Sequence, residues 1–301
     1  MSSHAQKRAR LAARFRQQEL IIAPGMFEMI SAKIADQLGF DCLYMTGYGT
    51  VASYLGLPDA GIATYSDMVG RVAQFAQVTS TPFIADGDTG YGGLLNVQHT
   101  VRGYEAAGAS AIQLEDQQFP KKCGHMLGRR VVPVEEMVAK LRVAADSRVD
   151  PNFLIIARTD ARTTNGLDDA LRRGEAYLKA GADVLFIESP ETVEEMECIG
   201  AAFRGVPLLA NMVEGGRTPM LDARTLQAIG YRIAIFPALG FLAAAAACEN
   251  AFSTLKATGS SVSVTTPIYD FQKMSALMGF GGVAEFDRKY LGMDDAAQAS
   301  H

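Results

Sequence analysis

Residues 82–116, PFIADGDTGYGGLLNVQHTVRGYEAAGASAIQLED, decide the fold. The apolar run PFIADGD (82–88) leads into a glycine-rich turn, and a stretch of helical periodicity then ends in glycine just before a second apolar run, AIQLED (111–116). A strand, a helix, a glycine stop and another strand, in this order, are typical of a βαβ unit with parallel strands. The remainder of the chain repeats this pattern.

Eight short apolar runs alternate with stretches of helical periodicity. They are LIIAPG (20–25), CLYMTG (42–47), PFIADGD (82–88), AIQLED (111–116), FLIIARTD (153–160), VLFIES (184–189), PLLANMVE (207–214) and RIAIFPA (232–238). This spacing predicts an α/β fold, a (β/α)8 TIM barrel. A doubly wound sheet is the alternative, but no GxGxxG motif follows the first run, which weakens its nucleotide-binding version.

We expect one domain over residues 1–301, with an N-terminal helix (1–19), the barrel (20–258) and a C-terminal helical extension (259–301). The arginine-rich start also has the composition of a mitochondrial transit peptide. A surface helix with Leu11, Ala12 and Phe15 turned inward is the preferred interpretation, because the first strand begins almost at once. The extension is predicted to be helical over 267–291 and is apolar on several sides, which favours packing on another subunit.

Composition excludes several classes of function. A net charge of −5 and the lack of a basic stripe argue against a nucleic-acid partner. No apolar run is long and clean enough to span a membrane. The four cysteines form no CxxC pair and no secretory signal precedes them, so a reducing compartment is expected, the cytoplasm before the mitochondrial matrix.

Polar residues follow seven of the eight runs, at the carboxyl ends of the predicted strands, where barrel active sites are built. Because side chains alternate along a strand, Asp86 and Asp88 are expected to point the same way. Paired carboxylates suit Mg²⁺, although a lone DxD motif is equally consistent with turn or helix-cap aspartates. Glu115, at the end of the next strand, and Asp59, in the preceding loop, favour the metal site.

The motif KKCGH (121–125) lies in a connection of residues 117–134 that is rich in lysine and arginine. A loop of this length is typical of an active-site lid. Cys123, beside His125 and among cations, is expected to have a depressed pKa that suits proton transfer or nucleophilic attack. The alternative is an incidental cysteine on a solvated basic loop.

Two further strand ends carry candidate anion sites. Arg158 ends an apolar strand, so it either pairs with a structural carboxylate such as Asp160 or clamps a substrate anion. The stretch Thr46-Gly47-Tyr48 could offer backbone N–H groups to a carboxylate, or it could be a turn eased by glycine.

With these motifs the chain resembles the isocitrate lyase and phosphoenolpyruvate mutase superfamily over essentially its whole length. The matching segments are LYMTGYGTVASYLGLPDAG, IADGDTGYGG, QLEDQ, KKCGH, IARTDA, FIES and LANMVEGG. Within the superfamily, KKCGH is similar to the carbon–carbon lyases, and NMVEGG resembles the branch of 2,3-dimethylmalate lyase and petal death protein. The resemblance implies a barrel, Mg²⁺ or Mn²⁺, and a homotetramer that exchanges its C-terminal helices.

The resemblance also implies roles for individual residues in a retro-aldol cleavage. Asp86 would bind the metal directly, and Asp59, Asp88 and Glu115 would bind it through water. Substrate contacts are expected from Thr46, Gly47, Tyr48, Gly124, Arg158, Glu188 and Asn211. The catalytic residues would be Cys123 as general acid, His125 beside it, Arg158 as charge stabiliser, and either Tyr44 or a hydroxide at the metal as base.

The chain departs from the 2-methylisocitrate lyases where they hold a third carboxylate. The arginine of those enzymes aligns with Leu242, their threonine with Val213, and a second arginine aligns loosely with Phe271. A carboxylate left without these donors would be costly to bury. The sequence therefore predicts a lyase for 2-alkylmalates such as 2,3-dimethylmalate.

Four alternatives remain. They are cleavage of 2-methylisocitrate; hydrolysis or decarboxylation of oxaloacetate, less favoured because oxaloacetate hydrolases tend to have serine at Pro237; phosphonopyruvate chemistry; and a barrel without activity.

Overall fold

A computed structural model describes residues 3–124, 126 and 128–292. Its strands are β1 Ile21–Met26, β2 Leu43–Met45, β3 Phe83–Asp86, β4 Ala111–Glu115, β5 Leu154–Thr159, β6 Val184–Ile187, β7 Leu209–Asn211 and β8 Ile233–Phe236. Its helices are α1 His4–Phe15, α2 Met29–Gln37, α3 Gly47–Leu55, α4 Tyr65–Val78, α5 Leu94–Ala107, α6 Val134–Ser147, α7 Ala161–Asn165, α8 Leu167–Lys179, α9 Val193–Ala202, α10 Ala223–Ile229, α11 Leu239–Thr258, α12 Phe271–Met278 and α13 Phe280–Leu291.

The eight strands form one parallel sheet in the order β6-β5-β4-β3-β2-β1-β8-β7. A parallel bridge between Leu185 and Leu208 joins the two ends of this order. Each crossover runs through at least one helix, so the helices form an outer layer around the strands. The fold is therefore the (β/α)8 TIM barrel that the sequence predicts, and all strand carboxyl ends open on one face.

Helix α1 is the extra N-terminal helix of the prediction. Leu11, Ala12 and Phe15 are buried and belong to one apolar cluster with inward-facing strand residues such as Ile21 and Ile156. The side chain of Lys7 lies over the end of α4, where its Nζ donates to the carbonyl of Ala76 at 3.1 Å. The inward face predicted for α1 is confirmed.

Three local features differ from the sequence expectations. Short helices α3 and α7 follow β2 and β5 directly, and the sequence analysis did not predict either of them. The helical stretch predicted over 267–291 is two helices, because Gly279 adopts a left-handed conformation with φ +91° between them. The long connection of residues 117–134 is partly paired, since Gln117 and Val131 form an antiparallel bridge.

The chain separates into two compact units, residues 1–242 and residues 243–301. The first contains the eight strands and the helices from α1 to α10, together with the start of α11. The second contains the rest of α11 with α12 and α13, and it exposes many large apolar side chains. No helix among the described residues combines the length and hydropathy that crossing a membrane requires.

Candidate active site

A cavity of about 220 Å³ lies at the carboxyl ends of the strands. Its lining includes eleven of the residues predicted from the sequence: Tyr44, Thr46, Tyr48, Asp59, Asp86, Glu115, Cys123, Gly124, Arg158, Glu188 and Asn211. Two more, Gly47 and Asp88, contact Asp86 from behind the lining. His125 lies outside the described residues. The cavity therefore collects acids, a guanidinium and a thiol in one place.

The two aspartates of the DxD motif occupy different positions. Asp86 is the last residue of β3 and lines the cavity, whereas Asp88 lies in the following turn with a positive φ of +48°. The expectation that both point the same way along a strand is therefore wrong, because the strand ends between them. The two residues are still in contact, since the backbone N–H of Asp88 donates to Oδ1 of Asp86 at 3.0 Å.

Lys121 connects the cysteine loop to the acids. Its buried Nζ contacts a carboxylate oxygen of Asp59 and lies 2.6 Å from Oδ1 of Asp88. Burial lowers the pKa of Lys121, but Asp88 and Asp59 outweigh that effect and raise it well above the ordinary value. Burial raises the pKa of Asp88 to about 7 although Lys121 opposes the shift. The sequence showed Lys121 only as one of several loop cations.

The acids offer an all-oxygen site. Burial raises the pKa of Asp86, with Lys121 opposing, and that of Glu115, with Arg158 opposing. Oε1 of Glu115 is buried and accepts no hydrogen bond within the described part of the chain. No three acidic, cysteine or histidine side chains among these residues have metal-ligand spacing, but Mg²⁺ keeps several waters and needs only one or two carboxylates. The donor set fits Mg²⁺ better than zinc.

Arg158 is the second-last residue of β5 and is buried beside three acids. Its Nε and Nη2 each donate to Asp160 at 2.9 Å, and its guanidinium lies 3.3 Å from both Glu115 and Glu188. The nearby amide of Asn211 donates to Glu188 at 3.1 Å. The pairing of Arg158 with Asp160 is therefore present. Arg158 also lines the cavity, and its role as a clamp for a substrate anion stays a prediction.

Helix α3 gives a structural reason for the sequence Thr46-Gly47-Tyr48. Thr46 caps the helix, with its hydroxyl accepting from the N–H of Gly49 at 3.4 Å. The first N–H groups of a helix have no partner inside it, so those of Gly47 and Tyr48 are available to a carboxylate. A Cβ at Gly47 would lie only 2.5 Å from Oδ2 of Asp86, which requires glycine here.

The loop that carries Cys123 packs against the arginine. A Cβ on Gly124 would collide with Nη2 of Arg158 and lie 2.6 Å from Oε2 of Glu188. The carbonyl of Gly124 accepts from the hydroxyl of Ser189 at 3.1 Å. These contacts hold Cys123 at the cavity wall, and none of the four cysteines forms a disulfide.

Tyr44 lies deep in the cavity and donates to Oε1 of Gln113 at 2.9 Å. Burial, together with Asp86, raises the pKa of Tyr44 well above its usual value, so the phenol stays protonated. Its assignment as the general base stays a prediction.

One part of the cavity wall is apolar. Its side chains are Val213, Pro237, Phe241 and Leu242, which lie on the loop after β7, the end of β8 and the start of α11. Glu214 also lines the cavity, and its Oε2 is buried without a hydrogen-bond partner among the described residues. Sequence reasoning noticed Glu214 at a strand end but did not include it among the site residues.

The sequence of this chain matches a known protein family and several known proteins. Residues 11–256 match the family profile described as phosphoenolpyruvate phosphomutase. The chain is 48% identical to 2,3-dimethylmalate lyase of Eubacterium barkeri, over 90% of this chain and 94% of the relative. It is 40% identical to 2-methylisocitrate lyase of Bacillus subtilis (strain 168), over 83% of each.

Solved structures of known proteins also match this chain. Oxaloacetate acetylhydrolase in complex with the inhibitor 3,3-difluorooxalacetate superposes with a TM-score of 0.91 and 35% identity, covering 97% of this chain and 99% of the other. Phosphonopyruvate hydrolase in complex with oxalate and Mg²⁺ superposes with a TM-score of 0.85 and 32% identity, covering 95% and 99%. The chain belongs to the phosphoenolpyruvate mutase and isocitrate lyase superfamily.

Proposed function

We propose that this chain is a Mg²⁺-dependent carbon–carbon lyase that cleaves a 2-alkylmalate, such as 2,3-dimethylmalate, to a 2-oxo acid and a carboxylate. From 2,3-dimethylmalate the products are pyruvate and propanoate. The observation that carries this proposal is the contrast within the cavity. One part holds acids, Arg158 and Cys123, and the wall of Val213, Pro237 and Leu242 carries no cation.

The acids around Asp86 suit a divalent cation, Mg²⁺ or Mn²⁺. Asp86 would hold it directly, with Asp59, Asp88 and Glu115 acting through water. When bound, this cation supplies a Lewis acid that neutralises charge on the substrate's hydroxyl and carboxylate oxygens. Its charge also relieves the buried carboxylates, whose pKa values burial raises.

The chain's own groups account for the rest of the reaction. The predicted base, either Tyr44 or a hydroxide, takes the hydroxyl proton, and the hydroxyl oxygen becomes the carbonyl of the 2-oxo acid. The bond between C2 and C3 breaks at the same time, and its electron pair becomes an enolate on the departing carboxylate. Arg158 stabilises the developing negative charge, and the first N–H groups of α3 hold the carboxylate of the 2-oxo acid. The thiol of Cys123 then gives its proton to C3 and completes the second product.

The apolar wall sets the tail that the substrate can carry. A methyl or ethyl group is compatible with Val213, Pro237 and Leu242, whereas these three side chains offer no hydrogen-bond donor to a third carboxylate. Glu214 strengthens this discrimination, because its buried Oε2 adds an acidic oxygen to the same cavity.

The proposal is tested with a panel of substrates, following release of 2-oxo acid with and without EDTA. We expect 2,3-dimethylmalate to be cleaved with a kcat/KM at least tenfold above that for 2-methylisocitrate, and EDTA to abolish both reactions. Leu242→Arg should lower the ratio of kcat/KM for 2,3-dimethylmalate to that for 2-methylisocitrate, or bring it below one, because the arginine would supply a cation to the third carboxylate of 2-methylisocitrate. Much faster cleavage of 2-methylisocitrate by the unaltered enzyme would refute the proposal.

Hydrolysis of oxaloacetate is the second candidate, and the TM-score of 0.91 to oxaloacetate acetylhydrolase favours it. It ranks second because Pro237, which lines the cavity, offers no hydroxyl to the substrate. Release of oxalate and acetate from oxaloacetate in the same panel would identify this activity.

The domain organisation and assembly belong to the proposal as well. We place residues 1–301 in one domain, with the C-terminal helices exchanged between the subunits of a homotetramer. Exposed apolar side chains on those helices, such as Phe271 (77% exposed) and Phe280 (64%), support it. Four cysteines without a disulfide support a cytoplasmic location.

A further inference from the structure

Arg129 is a buried cation that the proposed reaction does not use. It lies six residues after Cys123, and its side chain is fully enclosed. Its Nη1 pairs with Oδ1 of Asp160, its Nη2 donates to the hydroxyl of Thr163 at 2.8 Å, and its Nε donates to the carbonyl of Met126 at 3.0 Å. Every nitrogen of the guanidinium therefore has a partner.

Asp160 connects this loop arginine to the arginine of the cavity. Its Oδ1 accepts from Nη2 of Arg158 as well as from Arg129, and its Oδ2 accepts from Nε of Arg158. Burial alone would raise the pKa of Asp160, but Arg158 and Arg129 outweigh it and lower that pKa. The backbone N–H of Asp160 donates to Asp116 at 2.9 Å, which fixes its position.

The carboxylates around Arg158 explain why Arg129, a second cation beside Asp160, affects the charge of the cavity. Arg158 faces Asp160, Glu115 and Glu188, so a single guanidinium is surrounded by three carboxylates. If Arg129 were absent, Asp160 would depend on Arg158 alone, and more of the positive charge of Arg158 would be consumed within the protein. Removing one partner from a buried ionic network also leaves an uncompensated charge.

We infer that Arg129 is a positioning residue. It shares Asp160 with Arg158, which leaves more of the positive charge of Arg158 for a substrate anion, and it fixes the loop that carries Cys123 through Met126. The inference rests on the proposed function insofar as a carboxylate is the ligand of Arg158. Arg130, the next residue, is exposed and provides a matched control.

The test compares Arg129→Met, Arg129→Lys and Arg130→Met by two measurements. Calorimetry in the presence of Mg²⁺ gives the Kd for oxalate, a minimal dicarboxylate. Mass spectrometry gives the rate at which iodoacetamide alkylates Cys123, with the exposed Cys198 as internal reference. We expect Arg129→Met to weaken oxalate binding at least tenfold and to accelerate alkylation of Cys123 at least fivefold. Arg129→Lys should recover part of both effects, and Arg130→Met should change neither.

The outcomes separate this inference from the proposed function. An Arg129→Met protein that is less stable but keeps its oxalate Kd and Cys123 alkylation rate within twofold would overturn the inference. If the unaltered protein fails to bind oxalate, the proposed function is in question, and the alkylation rates still decide the role of Arg129. Should Arg129→Met not fold, Thr163→Val removes one hydrogen bond to the same guanidinium. An unchanged oxalate Kd and an unchanged alkylation rate of Cys123 in Thr163→Val would then contradict the inference.

Discussion

At the scale of single residues, Cys123 is placed to act as the proton donor of the proposed cleavage. Its thiol is at the cavity wall, and the following Gly124 packs directly on Arg158 and Glu188. A proton donor in this position can protonate the carbon of an enolate as soon as the carbon–carbon bond breaks. Hydrolysis of oxaloacetate begins differently, with an activated water adding to C2, but the acetate enolate that then departs also needs a proton on carbon.

Cys123→Ser should therefore lower kcat for 2,3-dimethylmalate about 10²- to 10⁴-fold, the range for losing a general acid, because a serine hydroxyl is a much weaker acid. Release of pyruvate measures the effect. Cys198→Ser, at an exposed position in α9, is the control and should have unaltered turnover. Full activity of Cys123→Ser would exclude Cys123 as the general acid of the proposed cleavage.

The sequence predicted the residues whose position follows from a strand end. Asp86 and Arg158 each end an apolar run, so a parallel barrel had to bring them to one face. It could not predict that Lys121 lies between Asp59 and Asp88, because that contact joins loops far apart in the chain. Nor could it show that Oε2 of Glu214 is buried, since burial depends on neighbours from other strands.

At the scale of elements, α1 covers the end of the barrel opposite the cavity. Its residue Leu11 is fully buried in a cluster with inward-facing strand residues such as Ile21 and Ile233. These positions lie near the amino ends of their strands, whereas the site lies at the carboxyl ends. The helix therefore contributes stability by filling the barrel without contacting the site.

Leu11→Ala should lower the free energy of unfolding by about 2–5 kcal/mol, the usual cost of truncating a buried leucine. Urea unfolding at a fixed protein concentration measures the loss. Leu38→Ala is the matched control, because Leu38 is 71% exposed and should change stability by less than about 0.5 kcal/mol. At urea concentrations below their unfolding transitions, both variants should keep the kcat/KM of the unaltered enzyme. A larger loss of unfolding free energy for Leu38→Ala than for Leu11→Ala would contradict the stabilising role of α1.

Elements were predictable where hydrophobic periodicity extends over a long window. Helices α4, α5, α6 and α8, with thirteen or fourteen residues each, satisfy this condition, whereas the strands were recognised as short apolar runs. The helices α3 and α7 contain nine and five residues and start immediately after a strand, so periodicity alone does not reveal them. The position of α3 matters for the proposed function, because its N-terminal residues Thr46 and Tyr48 line the cavity.

At the scale of the whole molecule, the second unit exposes an unusual amount of apolar surface. The helix α13 and the linker before α12 contain no buried residue, and Val262 is 92% exposed. Monomeric proteins rarely expose contiguous apolar patches of large area. Exposed side chains of this kind include Ile268, Tyr269, Phe271, Phe280, Val283, Phe286, Tyr290 and Leu291. In the proposed tetramer, a second copy of the chain would cover these side chains.

Light scattering after size-exclusion chromatography should therefore give a mass about four times the 32.2 kDa of the chain. Replacing Phe280 and Phe286 by aspartate together should lower this mass, because two charges would be buried without partners in the interface. Leu38→Asp adds a charge at an exposed apolar position of the barrel and should leave the assembly intact. A single species of one chain's mass at micromolar concentration, for the unaltered protein and for both variants, would contradict the tetramer. That result would also mean that these aromatic side chains face solvent in the working enzyme.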